Sequence, residues 1–168
     1  MPNWCEGTLK VRGKLKDVEQ WVKENVSVFH SDFVKDQNGK IKGIEEVEIP
    51  DGVKVENSDG EVLEITISED AYIAETRRHF VQPGTYFALL YQKNYLVLCM
   101  DFKAAWAIIA EPFAEMSKKY NVDFRLYGCE CGMEFCQNVI VEHGEIVKDE
   151  EIIYNDYEWE CPFPKLGG

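Results

Sequence analysis

The chain has 168 residues, of which 45% are hydrophobic and 12% aromatic, and its formal net charge at pH 7 is −13. A chain of this length can bury roughly 70% of the surface that its unfolded form exposes, so residues 1–168 are predicted to form a single domain rather than a disordered acidic protein. The acidic balance argues against direct binding to nucleic acid, which needs clustered lysine and arginine side chains.

The first residues have no basic start followed by an apolar run, so we expect no secretory signal. The longest apolar runs, residues 95–100 and 106–110, are shorter than the roughly 20 residues that cross a bilayer, so we expect no membrane span. The predicted compartment is therefore the cytoplasm. In that reducing environment the six cysteines are expected to be free thiols or metal ligands rather than disulfides.

The chain begins with a strand and a helix. Residues 5–12 alternate small or apolar with polar side chains, which is the two-residue period of a half-buried strand. Asp17 and Gln20 then form a capping-box pattern, and Trp21 lies on an apolar helical face, so a short helix is predicted to end near Asn25.

Residues 31–70 are predicted to be a hairpin insertion at the periphery of the domain. Their first thirty residues or so are poor in apolar side chains, whereas residues 61–68 alternate and are predicted to be a strand with one solvent-facing side. Three dipeptides in this region favour tight reversals of the chain. They are Asn38-Gly39, Asp51-Gly52 and Asp59-Gly60.

Residues 86–91 and 95–102 are two apolar runs on either side of a short polar loop, residues 92–94. This pattern predicts the central antiparallel pair of a β-sheet. The side chains predicted to face inward together on this sheet are Leu9, Val11, Val97, Phe124 and Leu126.

A second helix is predicted to begin near residue 110 and to continue through Tyr120. Pro112 fits a first helical turn, where its missing N–H costs nothing, and disrupts a helix interior. Lys118 and Lys119 occupy the last turn, where the helix dipole favours cations.

The remainder of the chain is predicted to be an extended C-terminal β-arm. Residues 123–127 have the strand pattern, residues 129–135 continue extended, and residues 139–141 are expected to pair with residues 146–147 across a short turn. Residues 154–168 are predicted to form an irregular tail.

The order strand, helix, insertion, strand, strand, helix, strand is that of a split βαβ unit. We therefore predict the α+β class, as a ferredoxin-like sandwich with an antiparallel sheet and two helices on one face. The hairpin insertion and the C-terminal β-arm are additions to that unit.

Two blocks of the sequence resemble the YubB-like proteins of plasmids and phages. The first is residues 1–5, Met-Pro-Asn-Trp-Cys, followed by the β-prone residues 8–11 and a short helix. The second is residues 102–106, Phe-Lys-Ala-Ala-Trp, leading to Glu-Pro-Phe at residues 111–113. Further similar positions are Tyr120, residues 123–127, Glu130, Gly132, Glu134 and Phe135. The resemblance covers roughly a third of the chain and implies a ferredoxin-like domain from a mobile element, with no established activity.

The acidic charge is concentrated in two segments. Residues 31–70 hold 12 acids and 4 bases, a net charge of −8, and residues 123–160 hold 11 acids and 2 bases, a net charge of −9. The leading hypothesis is a non-enzymatic interaction module that binds a basic protein partner, with mimicry of nucleic acid as one specific version. The alternative interpretation is a solubilising surface without a partner.

Cys129, Cys131 and Cys136 are the sharpest candidates for metal ligands. Zinc is normally held tetrahedrally by four ligands, so a further residue is needed to complete the site. The candidates for that position are Cys5, Cys99, Cys161 and His143. Small buried core residues are the competing interpretation, so no cofactor is favoured and a zinc-stabilised binding module is kept as the alternative function. A reactive cysteine needs a thiol near a base or a helix N-terminus, whereas these three lie among Glu130, Glu134 and few cations, so a reactive cysteine is disfavoured.

Three further groups are candidate binding residues. Arg77 and Arg78 can hold a phosphate or a carboxylate from a partner, or neutralise local acids. Trp106 is either an interaction anchor or a core residue. Glu130 and Glu134 are an acid and base pair or simply solvated carboxylates. No catalytic motif surrounds any of them, so no catalytic residue is predicted and an uncharacterised enzyme is the less favoured alternative.

Overall fold

The computed structural model describes residues 3–91 and 95–168, so the predicted loop at residues 92–94 lies outside the described residues. Its first half comprises β1 (Trp4–Lys14), α1 (Leu15–Asn25), β2 (Val26–Lys35), β3 (Ile41–Glu48), β4 (Val53–Ser58), β5 (Val62–Ile67), β6 (Ala71–Ile73) and β7 (His79–Val81). Its second half comprises β8 (Gly84–Tyr91), β9 (Tyr95–Ala105), α2 (Glu111–Tyr120), β10 (Asp123–Glu130), β11 (Phe135–Glu142), β12 (Glu145–Ile153) and α3 (Tyr157–Glu160).

The strands form one large antiparallel sheet. Its main path runs in the order β12, β11, β10, β1, β9, β7, β6, β2, β3, so that β12 and β3 are its two edges. Strands β4, β5 and β8 join off this path, where β5 pairs with β4 and β8, and β8 pairs with β9. β1 lies at the centre and is paired along most of its length with β9 and β10.

The predicted α+β ferredoxin-like sandwich is wrong, because the protein is mostly β. Strands account for 56% of the residues and three short helices for 15% of the described chain. The predicted insertion and C-terminal arm contain regular strands that pair edge to edge with the rest, which satisfies backbone N–H and C=O groups that a separate hairpin leaves open. Strands β6 and β7, which were not predicted, also lie between β9 and β2.

The main core lies between α1 and α2 on one side and the sheet on the other. Trp21 of α1 is completely buried, and its indole N–H points to the Met116 sulfur of α2 at 3.3 Å. The Trp21 and Phe113 rings both contact the Phe124 ring edge-on, with centroids 5.2 and 5.3 Å away. These contacts join two helices to one strand and position both helices on the same face of the sheet.

The predicted inward face is correct for four of its five residues and wrong for Val97. Leu9, Val11, Phe124 and Leu126 are buried, whereas Val97 is 47% exposed and its neighbours Leu96 and Leu98 are fully buried. The reason is that β9 carries apolar residues on both faces over residues 95–98. An uninterrupted apolar run does not reveal which alternate residues point inward.

The two helix starts differ in how well the sequence predicts them. α2 begins at Glu111 with Pro112 in its first turn, which confirms the predicted start. α1 begins at Leu15, and its N-cap Lys14 makes no side-chain capping bond, so the predicted Asp17 and Gln20 capping box is wrong. Among the described residues, no helix is long and apolar enough to cross a membrane.

We predict that Trp21→Ala lowers the free energy of unfolding by about 3 to 5 kcal/mol, because it empties the contact between α1, α2 and β10. Urea unfolding followed by circular dichroism measures this. The matched control is Trp159→Ala, which removes the same side chain from a position that is 86% exposed and is expected to change stability by less than about 0.5 kcal/mol. Equal losses in the two variants would contradict the assignment of the core.

Candidate functional site

The edge strand β12 and the helix α3 that follows it are strongly acidic. Residues 145–160, called the acidic edge below, hold seven acids and one base, a net charge of −6. Every residue of β12 is at least partly exposed. The acids are Glu145, Asp149, Glu150, Glu151, Asp156, Glu158 and Glu160. Few of them are neutralised locally, since the single base, Lys148, pairs with Glu150 at 2.6 Å.

Large apolar side chains are exposed on the same acidic edge. Trp159 lies in α3 between Glu158 and Glu160 and is 86% exposed, and Ile153 at the end of β12 is 75% exposed. The Asp156 carboxylate accepts a hydrogen bond from the Trp159 N–H and orders this short helix. A tryptophan as exposed as this one contributes little to packing among the described residues, whereas tryptophan is enriched at the centres of protein interfaces.

Three cysteines meet under the C-terminal segment. Cys129 of β10 and Cys136 of β11 are directly opposite one another and form a disulfide. The Cys161 sulfur lies 3.5 Å from that of Cys136 and 3.9 Å from that of Cys129. All three are buried and, with the disulfide open, offer three sulfur ligands within 4.8 Å of one another. They are called the cysteine cluster below.

This arrangement changes the predicted ligand set. Cys131 does not belong to the cluster, because β10 ends at Glu130 and the following turn directs the Cys131 thiol to the Gly167 carbonyl at 2.9 Å. Cys161 takes its place, supplied by a segment 25 residues after Cys136. The expectation of free thiols is wrong for Cys129 and Cys136 and correct for the other four cysteines.

The other residues proposed to complete a metal site lie outside the cysteine cluster. Cys5 is buried on the helix side of β1, where burial and the carboxylates of Glu130 and Glu6 raise the pKa of its thiol to about 12. Cys99 is exposed, and His143 lies in the turn between β11 and β12. None of these three residues adds a ligand atom to the group of three clustered sulfurs that the described residues form.

Tyrosines surround the cysteine cluster. The Tyr157 hydroxyl is buried without a hydrogen-bond partner in the described part of the chain. Burial, with the nearby Cys161, raises the pKa of Tyr157. Burial likewise raises the pKa of Tyr127, with a further contribution from its neighbour Tyr154. The phenols therefore stay neutral at physiological pH, and the cluster is a largely apolar pocket.

Glu130 and Glu134 are not brought together as a pair. Glu130 is completely buried, and its two carboxylate oxygens accept the N–H groups of Gly132 at 2.8 Å and Met133 at 2.6 Å. Glu134 is exposed in the same turn, with a φ of 58°. The geometry gives Glu130 a role in closing the turn and leaves Glu134 free in solvent.

Trp106 follows β9 and is 53% exposed, with a φ of 73°, so it is not a core residue. Its N–H donates to the Asn3 carbonyl at 2.9 Å, which ties it to the beginning of β1.

Arg77 and Arg78 are exposed in the loop between β6 and β7, and neither forms an ion pair within the described ranges. The interpretation that they neutralise local acids is therefore not supported by a contact.

The arginine loop is anchored by the buried residue that follows it. The His79 Nδ1 lies 2.9 Å from the Arg77 carbonyl and its Nε2 lies 3.1 Å from the Ile109 N–H. These partners require a neutral ring that donates from Nδ1 and accepts at Nε2. Burial lowers the pKa of His79 to about 4, against the effect of the Arg77 hydrogen bond.

No protein-family model matches this chain, and no curated protein or solved structure matches it significantly. The resemblance to the YubB-like proteins therefore stays a prediction. Three regions of the structure bear on function: the acidic edge, the cysteine cluster and the arginine loop.

We predict that His79 makes the protein less stable in acid. The unfolded chain takes up a proton near pH 6.5 and the folded protein only near pH 4, so the unfolded state binds more protons between these values and stability rises with pH there. The contribution, up to about 3 kcal/mol, is complete above pH 6.5 and is lost as the pH falls through 4. Urea unfolding at a series of pH values measures it, with His79→Gln expected to flatten the dependence. An NMR titration of the folded protein that places the His79 pKa near 6.5 would contradict it.

Proposed function

We propose that the protein is a non-enzymatic interaction module that binds a basic protein partner through the acidic edge. The single observation that carries this proposal is the exposure of Trp159 between Glu158 and Glu160 in α3, the helix that follows the edge strand β12 in the chain. This segment thus offers an apolar anchor with carboxylates on both sides of it in the chain. Lysine and arginine side chains of a partner are complementary to these negative and aromatic groups.

The two components of this surface have different physical roles. Individual ion pairs on an exposed surface contribute about 0 to 1 kcal/mol each, so the carboxylates mainly steer the approach of a partner and reject acidic competitors. A tryptophan covered by a partner buries about 150 to 250 Å² and supplies the larger share of the affinity. An arginine from the partner gains further by lying over the indole ring.

The outer edge of β12, which pairs with no other described strand, adds a third component. One side of an edge strand has backbone N–H and C=O groups that no neighbouring strand satisfies, and an extended peptide can pair with them. Charges on β12 prevent this pairing with another acidic copy of the chain. They favour pairing with a basic segment instead. The charges on β12 thus both protect the chain from aggregation and select basic partners.

A more specific version of the proposal is that the acidic edge imitates the phosphate backbone of nucleic acid. Its support is the density of carboxylates and the resemblance of the chain to plasmid and phage proteins. Competition with duplex DNA for a DNA-binding protein tests this version. Failure to compete at low salt, where electrostatic attraction is strongest, would reject it without affecting the broader proposal.

We predict that the triple variant Glu150→Gln, Glu151→Gln and Glu158→Gln loses capture of basic proteins from lysate and shows a weaker dependence of capture on salt. With fewer carboxylates, the electrostatic attraction to a basic partner is weaker, so added salt has a smaller attraction to screen. Trp159→Ala is expected to lower capture at every salt concentration, because its contact is apolar. Immobilised protein and quantitative mass spectrometry measure both effects.

The matched control changes the same number of charges on the opposite edge of the sheet. Glu45→Gln, Glu46→Gln and Glu48→Gln lie on β3, every residue of which is exposed. This control is expected to retain the captured proteins. Equal losses in the two triple variants would mean that net charge alone is responsible and would overturn the assignment to the acidic edge.

The cysteine cluster favours a second candidate function, a zinc-stabilised binding module. Its three sulfurs lie on two paired strands and on Cys161, the residue that follows α3, so a metal ion there would fasten the C-terminal end of α3, the helix that carries Trp159, to the sheet. Thiolates hold zinc at about 2.3 Å. The disulfide and the metal exclude one another, because zinc needs all three sulfurs as thiolates. Water or a partner side chain would complete four-fold coordination.

We predict that protein kept reduced with a phosphine reductant binds about one equivalent of zinc, measured by elemental analysis after gel filtration. Cys161→Ser is expected to remove binding, because only two thiolates then remain. Cys131→Ser is the matched control and is expected to bind normally, since its sulfur lies outside the cluster. Less than about half an equivalent in the reduced protein would reject this candidate.

A further inference from the structure

A cavity of about 570 Å³ lies between the β2–β3 hairpin and the loop that carries the two arginines. It is on the face of the sheet opposite α1 and α2, because Tyr72 and Phe80 alternate with buried residues that point to the helices. Its volume falls within the roughly 300 to 1,000 Å³ of small-molecule sites. The residues that matter here are Phe29, Glu46, Tyr72, Arg77, Arg78 and Phe80, and together they are called the arginine cleft.

Aromatic rings line the cleft on the sheet side. The Phe80 ring contacts the Tyr72 ring on one side and the Trp4 ring on the other, each with a centroid separation of 5.8 Å. Phe29 is 39% exposed on β2. A row of partly exposed aromatic rings on an open sheet face is a surface on which flat, unsaturated rings stack.

The Arg78 side chain is held in position, and neither arginine of the cleft forms an ion pair with another described residue. The Arg78 guanidinium lies 5.7 Å from the centroid of the Trp4 ring, and its carbonyl accepts the Ala105 N–H at 3.0 Å. Lys103 lies over the same ring at 4.9 Å but is already paired with Asp70. In a chain of net charge −13, two arginines that keep their charge free beside aromatic rings call for an anionic ligand.

The backbone of this loop is fixed by short contacts. The Tyr72 hydroxyl donates to the Thr76 carbonyl and the Thr76 hydroxyl donates to the Ile73 carbonyl, both at 2.5 Å. His79 holds the Arg77 carbonyl from the other side. The loop is thus positioned before any ligand arrives, which reduces the entropy lost on binding.

We propose that the arginine cleft binds a mononucleotide. The base stacks on Phe80 and Tyr72, and the phosphate accepts hydrogen bonds from Arg77 and Arg78, whose planar guanidinium groups match phosphate oxygens. Glu46 on the opposite wall accepts hydrogen bonds from a sugar hydroxyl or a base amino group. A polynucleotide is disfavoured, because each further phosphate meets Glu46, Asp70 and the net negative charge of the chain.

The test is isothermal titration calorimetry with adenosine and guanosine 5′-monophosphate, compared with the nucleosides and with inorganic phosphate. We expect a nucleotide to bind at micromolar to millimolar concentration. Both the nucleoside and inorganic phosphate are expected to bind at least about tenfold more weakly, because the nucleoside lacks the phosphate and inorganic phosphate lacks the base. No binding by any of these nucleotides at millimolar concentration would overturn the proposal.

Two pairs of variants assign the binding to the cleft. Arg77→Gln with Arg78→Gln is expected to weaken binding at least about tenfold, whereas Lys14→Gln with Lys16→Gln, which removes the same charge from exposed positions outside the cleft, leaves it unchanged. Phe80→Leu keeps the apolar volume and removes the ring, so it is expected to weaken nucleotide binding about fivefold or more without affecting inorganic phosphate. Equal losses in the two charge variants would overturn the assignment to the cleft.

Oligonucleotides of increasing length separate a mononucleotide from a strand as ligand. A cleft for mononucleotides binds longer strands no more tightly. Affinity that rises with length and falls steeply with salt would identify a nucleic-acid interface and overturn the mononucleotide assignment. Variants of the acidic edge are expected to leave nucleotide binding intact, so failure of this proposal and failure of the protein-binding proposal are independent.

Discussion

The pairing of β1 with β9 and β10 is the interaction on which the rest of the structure depends. Leu9 is opposite Met100 on one side and Leu126 on the other, and all three side chains are buried. β1 is thereby the middle of a three-stranded centre that both helices cover. The other strands pair one after another on both sides of this centre, so that the sheet ends at β12 on one side and at β3 on the other.

The two proposed binding surfaces lie toward opposite edges of the same sheet. The acidic edge is formed by β12 and α3, whereas the arginine cleft lies among β2, β3, β6 and β7. A shared sheet lets one small domain carry an acidic surface at one end and, toward the other, a cleft whose lining includes two arginines. Within the described ranges, Arg77 and Arg78 form no ion pair, although Glu46 and Asp70 line the same cleft.

The C-terminal segment acts as a strap across the second face of the sheet. Its cysteine and tyrosine side chains cover Tyr127 and Cys129, forming a small apolar cluster distinct from the main core. Gly167 approaches β1 so closely that a Cβ there would lie 2.3 Å from the Trp4 carbonyl, and its φ is 79°. Glycine is the residue that tolerates both conditions. The strap connects Trp4, beside the arginine cleft, with Cys161, next to the acidic edge.

Several local features could be predicted from the amino-acid sequence: the strand at residues 5–12, a helix ending near Asn25, the start of α2 at Glu111 beside Pro112, and the acidic charge of residues 123–160. Each follows from neighbouring residues, through side-chain alternation, proline geometry or composition. Three features become visible only in the folded chain: the strands join one sheet, Cys161 and not Cys131 meets Cys129 and Cys136, and Val97 faces solvent. These outcomes depend on strand partners and register between segments far apart in the chain. Local periodicity carries no information on which distant segments satisfy one another's backbone hydrogen bonds.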